Sequence, residues 1–122
     1  LLQLLQLHEL QQAGGVLNAH HVAAFYYKLG QLCHRDSRLA TSTTTKQLLQ
    51  HLNTLLPSVL QDIDARGLSN AVLGCACAQH MPAIALLLQA FLRPSTLAAA
   101  NGFDISNVMW ALGDREVRLD RP

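Results

Sequence analysis

Leu55-Leu56-Pro57-Ser58-Val59-Leu60, followed eight residues later by Leu68-Ser69-Asn70, is the stretch that decides the fold. It returns 37 residues further on as Leu92-Arg93-Pro94-Ser95-Thr96-Leu97 and Ile105-Ser106-Asn107. At the same offset Leu49 falls on Leu86. A weaker earlier copy fits at an offset of 46, where Val22, Phe25, Tyr26 and Leu29 fall on Leu68, Ala71, Val72 and Cys75. The nine additional residues are accounted for by the polar, Thr-rich stretch His34 to Thr45. A fixed period of this size marks repeated supersecondary units that bury their apolar faces only by stacking on one another.

Around those blocks the apolar spacing is helical throughout. Val22, Phe25, Tyr26, Leu29, Leu32 and Cys33 form one stripe, with Asn18 placed to cap its start. Leu48, Leu49, Leu52, Leu55 and Leu56 form the next, which Pro57 is expected to end. A helix starting near Asp64 carries Leu68, Ala71, Val72 and Cys75. Pro82 suits the first turn of another, with Ile84, Leu87, Leu88, Phe91 and Leu92 as its stripe. The last runs from Asp104 with Ile105, Val108, Met109 and Leu112, leaving Asp114 to Pro122 as a charged end. His34 to Thr45 reads as a loop, and Leu1 to Gln12 as a leading helix stopped by Gly14-Gly15.

The expected architecture is therefore all-α, an α-solenoid of stacked antiparallel helix pairs with about three repeats of roughly 37–38 residues. Residues 1–15 read as the end of a preceding repeat and 16–62 as a degenerate repeat with an inserted loop. Residues 63–99 read as a repeat and 100–122 as the start of the next. Leu68 and Ile105 should be buried at equivalent positions, and Leu52, Leu88 and Phe91 should belong to the core.

Composition agrees and narrows the possible functions. Half of the 122 residues are hydrophobic and 14% are charged, which excludes a disordered chain. The longest apolar run, Ala83 to Leu88, is far too short to cross a bilayer, so no membrane partner is expected. The net charge is +1. An odd number of cysteines (Cys33, Cys75 and Cys77) gives no complete disulfide framework and suits a reducing compartment. The opening Leu-Leu-Gln, without Met, reads as the interior of a longer protein.

Nothing in the sequence points to catalysis, a cofactor or a metal. There is no Gly-x-Ser-x-Gly and no phosphate-binding Gly-rich loop. Cys75 and Cys77 stand two apart on a helix, so their side chains diverge. Cys33-His34 lacks a second pair at zinc spacing.

Two blocks carry a resemblance: Gly67-Leu68-Ser69-Asn70-Ala71-Val72-Leu73-Gly74-Cys75-Ala76 and Asp104-Ile105-Ser106-Asn107-Val108-Met109-Trp110-Ala111-Leu112-Gly113. They resemble the first helix of the octotricopeptide repeat, whose pattern reads Leu-Ser-Asn, two variable positions, Trp-Ala-Leu-Ala. The third copy keeps Trp110-Ala111-Leu112, the second departs with Leu73-Gly74-Cys75, and Asn18 to Ala23 resembles a degenerate copy. The resemblance implies an α-solenoid that binds organellar RNA, mitochondrial before chloroplast. Such a protein stabilises, processes or helps translate transcripts, or holds an rRNA segment as an added ribosomal component beside other ribosomal or RNA-processing proteins. A protein–protein scaffold built on the same helices is the alternative.

RNA contact is expected from Lys28, Arg35, Arg38, Lys46 and Arg66, with Arg115 and Arg118 next. The first four face only Asp36, the one strong local excess of positive charge. Opposite the apolar stripe lie Arg66, Asn70 and Cys77, equivalent to Phe103, Asn107 and Asp114, and to His20, Ala24 and Gln31. This face is expected to line the concave surface. Asn70 and Asn107 recur unchanged, so they are assigned to hydrogen bonds with a neighbouring unit's backbone. Tyr27, Leu73 and Trp110 share one repeat position and are assigned to packing between units.

Overall fold

The structure, a computed structural model, describes residues 18–114. Among them there is no strand, and six α-helices follow one another along the chain. The leading Leu1 to Gln12 segment and the charged end from Arg115 lie outside the described residues.

Helix α1, Ala19–Arg35, starts where its cap predicts. Asn18 Oδ1 accepts the His21 amide at 2.9 Å, and the His21 ring accepts the Asn18 amide in return. All six residues of its expected stripe are buried. The stretch after it is not a loop. Asp36 caps a 3₁₀ helix, Ser37–Thr41, and Ser42 caps helix α2, Thr43–Val59. Asp, Ser and Thr compete with the backbone for hydrogen bonds, so the side chains that suggested a loop here start helices instead. Leu39 and Thr45 are buried and pin this segment to the core.

Pro57 does not end α2 but sits in its last turn, and the ladder resumes beyond it when Leu60 N–H donates to Leu56 O. A second 3₁₀ turn, Leu60–Asp62, leads to helix α3, Ala65–Cys77, capped by Asp64. Gln79 then takes the left-handed conformation at φ 57°, which lets His80 N–H reach the Cys75 carbonyl at 2.8 Å. Helix α4, Ile84–Phe91, buries Ile84, Leu87, Leu88 and Phe91, and Pro82 precedes it rather than occupying its first turn. Pro94 opens a short helix α5, Pro94–Ala99, that the apolar spacing did not signal. Helix α6, Gly102–Asp114, begins two residues before Asp104. Asn101 caps it, accepting the Asp104 amide at 2.8 Å, and Asp104 accepts the Asn101 amide at 3.1 Å.

Helix α3 stands at the centre, with α1 on one side and α6 on the other. The three run in the same direction. Ala23 lies beside Gly67 and Tyr26 beside Gly74, while Arg66 and Ser69 meet Asp104. Helix α2 packs on α1, and α4 packs on α3. The three parallel helices begin at Ala19, Ala65 and Gly102.

The α1–α3 seam is closed by glycines. A methyl group on Gly30 would overlap the Gly74 main chain, and one on Gly74 would overlap the Tyr26 carbonyl. Behind the seam, the buried Tyr26 hydroxyl donates to Asn53 Oδ1 at 2.6 Å, and Asn53 Nδ2 lies 2.9 Å from His80 Nε2. This chain ties α1, α2 and the α3–α4 connection together.

Leu52, Leu68, Leu88 and Phe91 are core residues, as expected. Ile105 is not: it is 42% exposed although its repeat counterpart Leu68 is fully buried. Leu68 lies in a helix flanked by α1, α4 and α6, whereas the main neighbour of α6 among the described elements is α3 alone. Equivalence of position gives equivalence of burial only where an equivalent helix covers it.

Candidate nucleic-acid interface

The faces of α1, α3 and α6 turned away from the core form one open surface with two adjoining hollows. The wider, about 340 Å³, is bordered by Tyr27 and His34 of α1, Leu73 and Cys77 of α3, and Asn107 and Trp110 of α6. The narrower, about 180 Å³, lies between His20, Ala24 and Tyr27 of α1 and Arg66 and Asn70 of α3. Tyr27 borders both, so the two adjoin at its ring. Residues separated by one repeat period meet here on neighbouring helices, as Tyr27, Leu73 and Trp110 do.

Three features of this surface differ from the sequence expectation. Among the described residues, Asn70 and Asn107 make no hydrogen bond to a neighbouring backbone. Neither amide has a hydrogen-bond partner among the described residues, and both are half-buried along the hollows. A polar link between α3 and α6 exists, but Ser69 and Asp104 supply it. The buried Ser69 hydroxyl sits 3.0 Å from the Arg66 carbonyl and 3.5 Å from Asp104 Oδ1, and Arg66 Nε lies 3.9 Å from the same oxygen. Period comparison hides Asp104 because its counterpart is Gly67. The third difference concerns the aromatics. Trp110 packs edge-on against His34 with ring centroids 6.3 Å apart, yet it remains 39% exposed and walls the hollow with Tyr27.

The cations expected to touch RNA do not gather in the hollows. Lys28 is half-buried on α1, one residue beyond Tyr27. Arg35 is exposed in the last turn of α1. Arg38 is exposed and held by Asp36 through two contacts of 3.0 Å, which keep the Asp36 carboxyl below its ordinary range. Lys46 is exposed in the first turn of α2 and borders a separate hollow of about 390 Å³ beside Asn53 and His80. Only Arg66 lines the groove, at the narrower hollow. Arg66 thus sits near the start of the parallel helices and Arg35 near their end, with an uncharged floor between. Arg115 and Arg118 lie outside the described residues.

Burial raises the Cys75 thiol well above its ordinary range and raises Cys33 to about 11, the latter aided by Cys77 and Asp36. Both therefore stay protonated at neutral pH and are poor nucleophiles or metal ligands. Burial lowers the His80 imidazole and keeps it neutral. Among the described residues no group of His, Cys, Asp or Glu is placed to hold a metal ion, and no helix is long and apolar enough to cross a membrane.

No protein-family model matches this chain, and neither a curated protein nor a solved structure is significantly similar to it.

Proposed function

We propose that this chain is a non-catalytic RNA-binding segment of an octotricopeptide-type α-solenoid, working in an organelle. It grips RNA along the shared face of α1, α3 and α6. Holding an rRNA segment in a mitochondrial ribosome is one concrete form; stabilising, processing or helping translate a transcript is another. The observation that carries the reading is the alignment of repeat-equivalent side chains on one open face. Asn70 and Asn107 have no hydrogen-bond partner among the described residues there, and Tyr27 and Trp110 stand beside them. Amides without protein partners and accessible aromatics are the groups that read unstacked bases. Cations near both ends of the face suit the backbone on either side of the bases.

The salt dependence of RNA binding tests this reading. Affinity should fall steeply as salt rises, because phosphate contacts release counterions. Changing Arg35, Arg38 and Lys46 together to Ala should weaken binding to all sequences alike and flatten the salt slope by about 0.7 per lost contact to a single strand. Arg38 already has a partner in Asp36 and Lys46 stands on α2, away from the shared face, so Arg35 should account for most of the change.

The scaffold reading draws support from a different region. Leu92, Phe103 and Met109 are each at least 60% exposed near the α5–α6 end. A chain that binds no RNA at any salt would favour it.

A further inference from the structure

The two hollows differ in a way that the repeat does not require. The narrower contains Arg66, Asp64 and His20. Among the described residues, no Lys, Arg, Asp or Glu side chain lines the wider. Burying a charge there would go uncompensated, so its occupant should be neutral. At about 340 Å³ it lies at the small end of the range for ligand pockets, which runs from roughly 300 to 1,000 Å³. That suits one planar heterocycle. Its walls are Tyr27 and Trp110, two rings on different helices, with Leu73 between them. Asn107 borders it with one acceptor oxygen and two donor hydrogens, none of them used within the described residues.

We infer that the wider hollow takes a single unpaired purine base, adenine by preference. The base stacks against Trp110 and Tyr27 and is held at its edge by the Asn107 amide. Adenine offers an exocyclic amino donor beside a ring-nitrogen acceptor, the complement of an Asn side chain. A purine also presents more surface to the rings than a pyrimidine. The narrower hollow has only the small His20 imidazole besides Tyr27, carries the charged Arg66 and Asp64, and has about half the volume, so this stretch of groove reads one base, not one base per unit. The inference rests on the RNA reading above.

Trp110 is the only tryptophan in the chain, so its emission reports on this hollow alone. The experiment titrates the full chain with short fluorescein-labelled oligoadenylate, oligocytidylate and oligouridylate at low salt. Anisotropy gives affinity and Trp110 emission gives location. Oligoadenylate should quench Trp110 and bind at least about fivefold tighter than oligouridylate, the lower end of what one bidentate amide contact discriminates. Asn107→Leu keeps the branched side-chain shape and removes no hydrogen bond found among the described residues, so the variant should fold. It should bring the two affinities to within about twofold of each other by weakening oligoadenylate and leaving oligouridylate unchanged. Binding of all three oligomers without change in Trp110 emission overturns the inference and leaves the RNA reading standing. Equal quenching by adenine and uracil, or an Asn107→Leu variant with an undiminished preference, overturns it as well. No anisotropy change with any oligomer overturns both.

Discussion

The two seams that join the parallel helices are built on opposite principles. Between α1 and α3 the backbones touch: Gly30 and Gly74 leave no room for a side chain on either helix. Between α3 and α6 the contact is made by side chains, with the buried Ser69 and Asp104 meeting across it and Arg66 reaching the same carboxylate. A glycine seam is short and rigid, because its geometry is set by main-chain contact. A polar seam is specified by a few hydrogen bonds, and its stability depends on keeping every buried group satisfied. The groove is narrow over the first seam and widens where α6 joins, which is where Asn107 and Trp110 enter.

The largest effect should come from placing a methyl group in the glycine seam. Gly74→Ala puts a carbon against the Tyr26 carbonyl, which is main chain and has no rotamer to move away. It should cost about 3 kcal/mol, the upper end for overpacking, and lower the denaturant midpoint accordingly. An unchanged midpoint would show that α1 and α3 are not in backbone contact. Asp104→Ala should cost less, about 1–3 kcal/mol, since it removes the reciprocal bond to the Asn101 amide and leaves Ser69 and Arg66 without their shared acceptor. A cost equal to that of Gly74→Ala would mean that the two seams are equally tight. The smallest change should be a gain. Gln79 holds a left-handed conformation at the end of α3, so Gln79→Gly should raise stability by up to about 1 kcal/mol. A loss there would show that the Gln79 side chain supports the α3–α4 connection.

The contrast also explains what was legible in the sequence. Caps and stripes are local, so the Asn18 cap, a helix start near Asp64 and the apolar face of α1 are legible from residues three and four apart. The inserted segment after Arg35 was misread because Ser and Thr serve loops and helix starts equally well. Burial of Ile105 was inferred from equivalence with Leu68, yet it depends on a covering helix that no local pattern encodes. Gly74 carries no sequence signal of its own, because the need for glycine arises only when Tyr26 of another helix comes against it. The groove was partly visible: periodicity gathered Tyr27, Leu73 and Trp110 at one repeat position and Asn70 with Asn107 at another. It could not tell an amide spent on a neighbour's backbone from one left open along a surface. That distinction decides whether these residues are structural or functional.

The central claim is that RNA lies along the shared face of α1, α3 and α6. Ultraviolet cross-linking of the chain to single-stranded RNA, with the linked peptides mapped by mass spectrometry, tests it most directly. The account predicts cross-links at Tyr27 and Trp110, lost when excess unlabelled RNA competes. Cross-links confined to α2 and α4, on the opposite side of the helix layer, would contradict it.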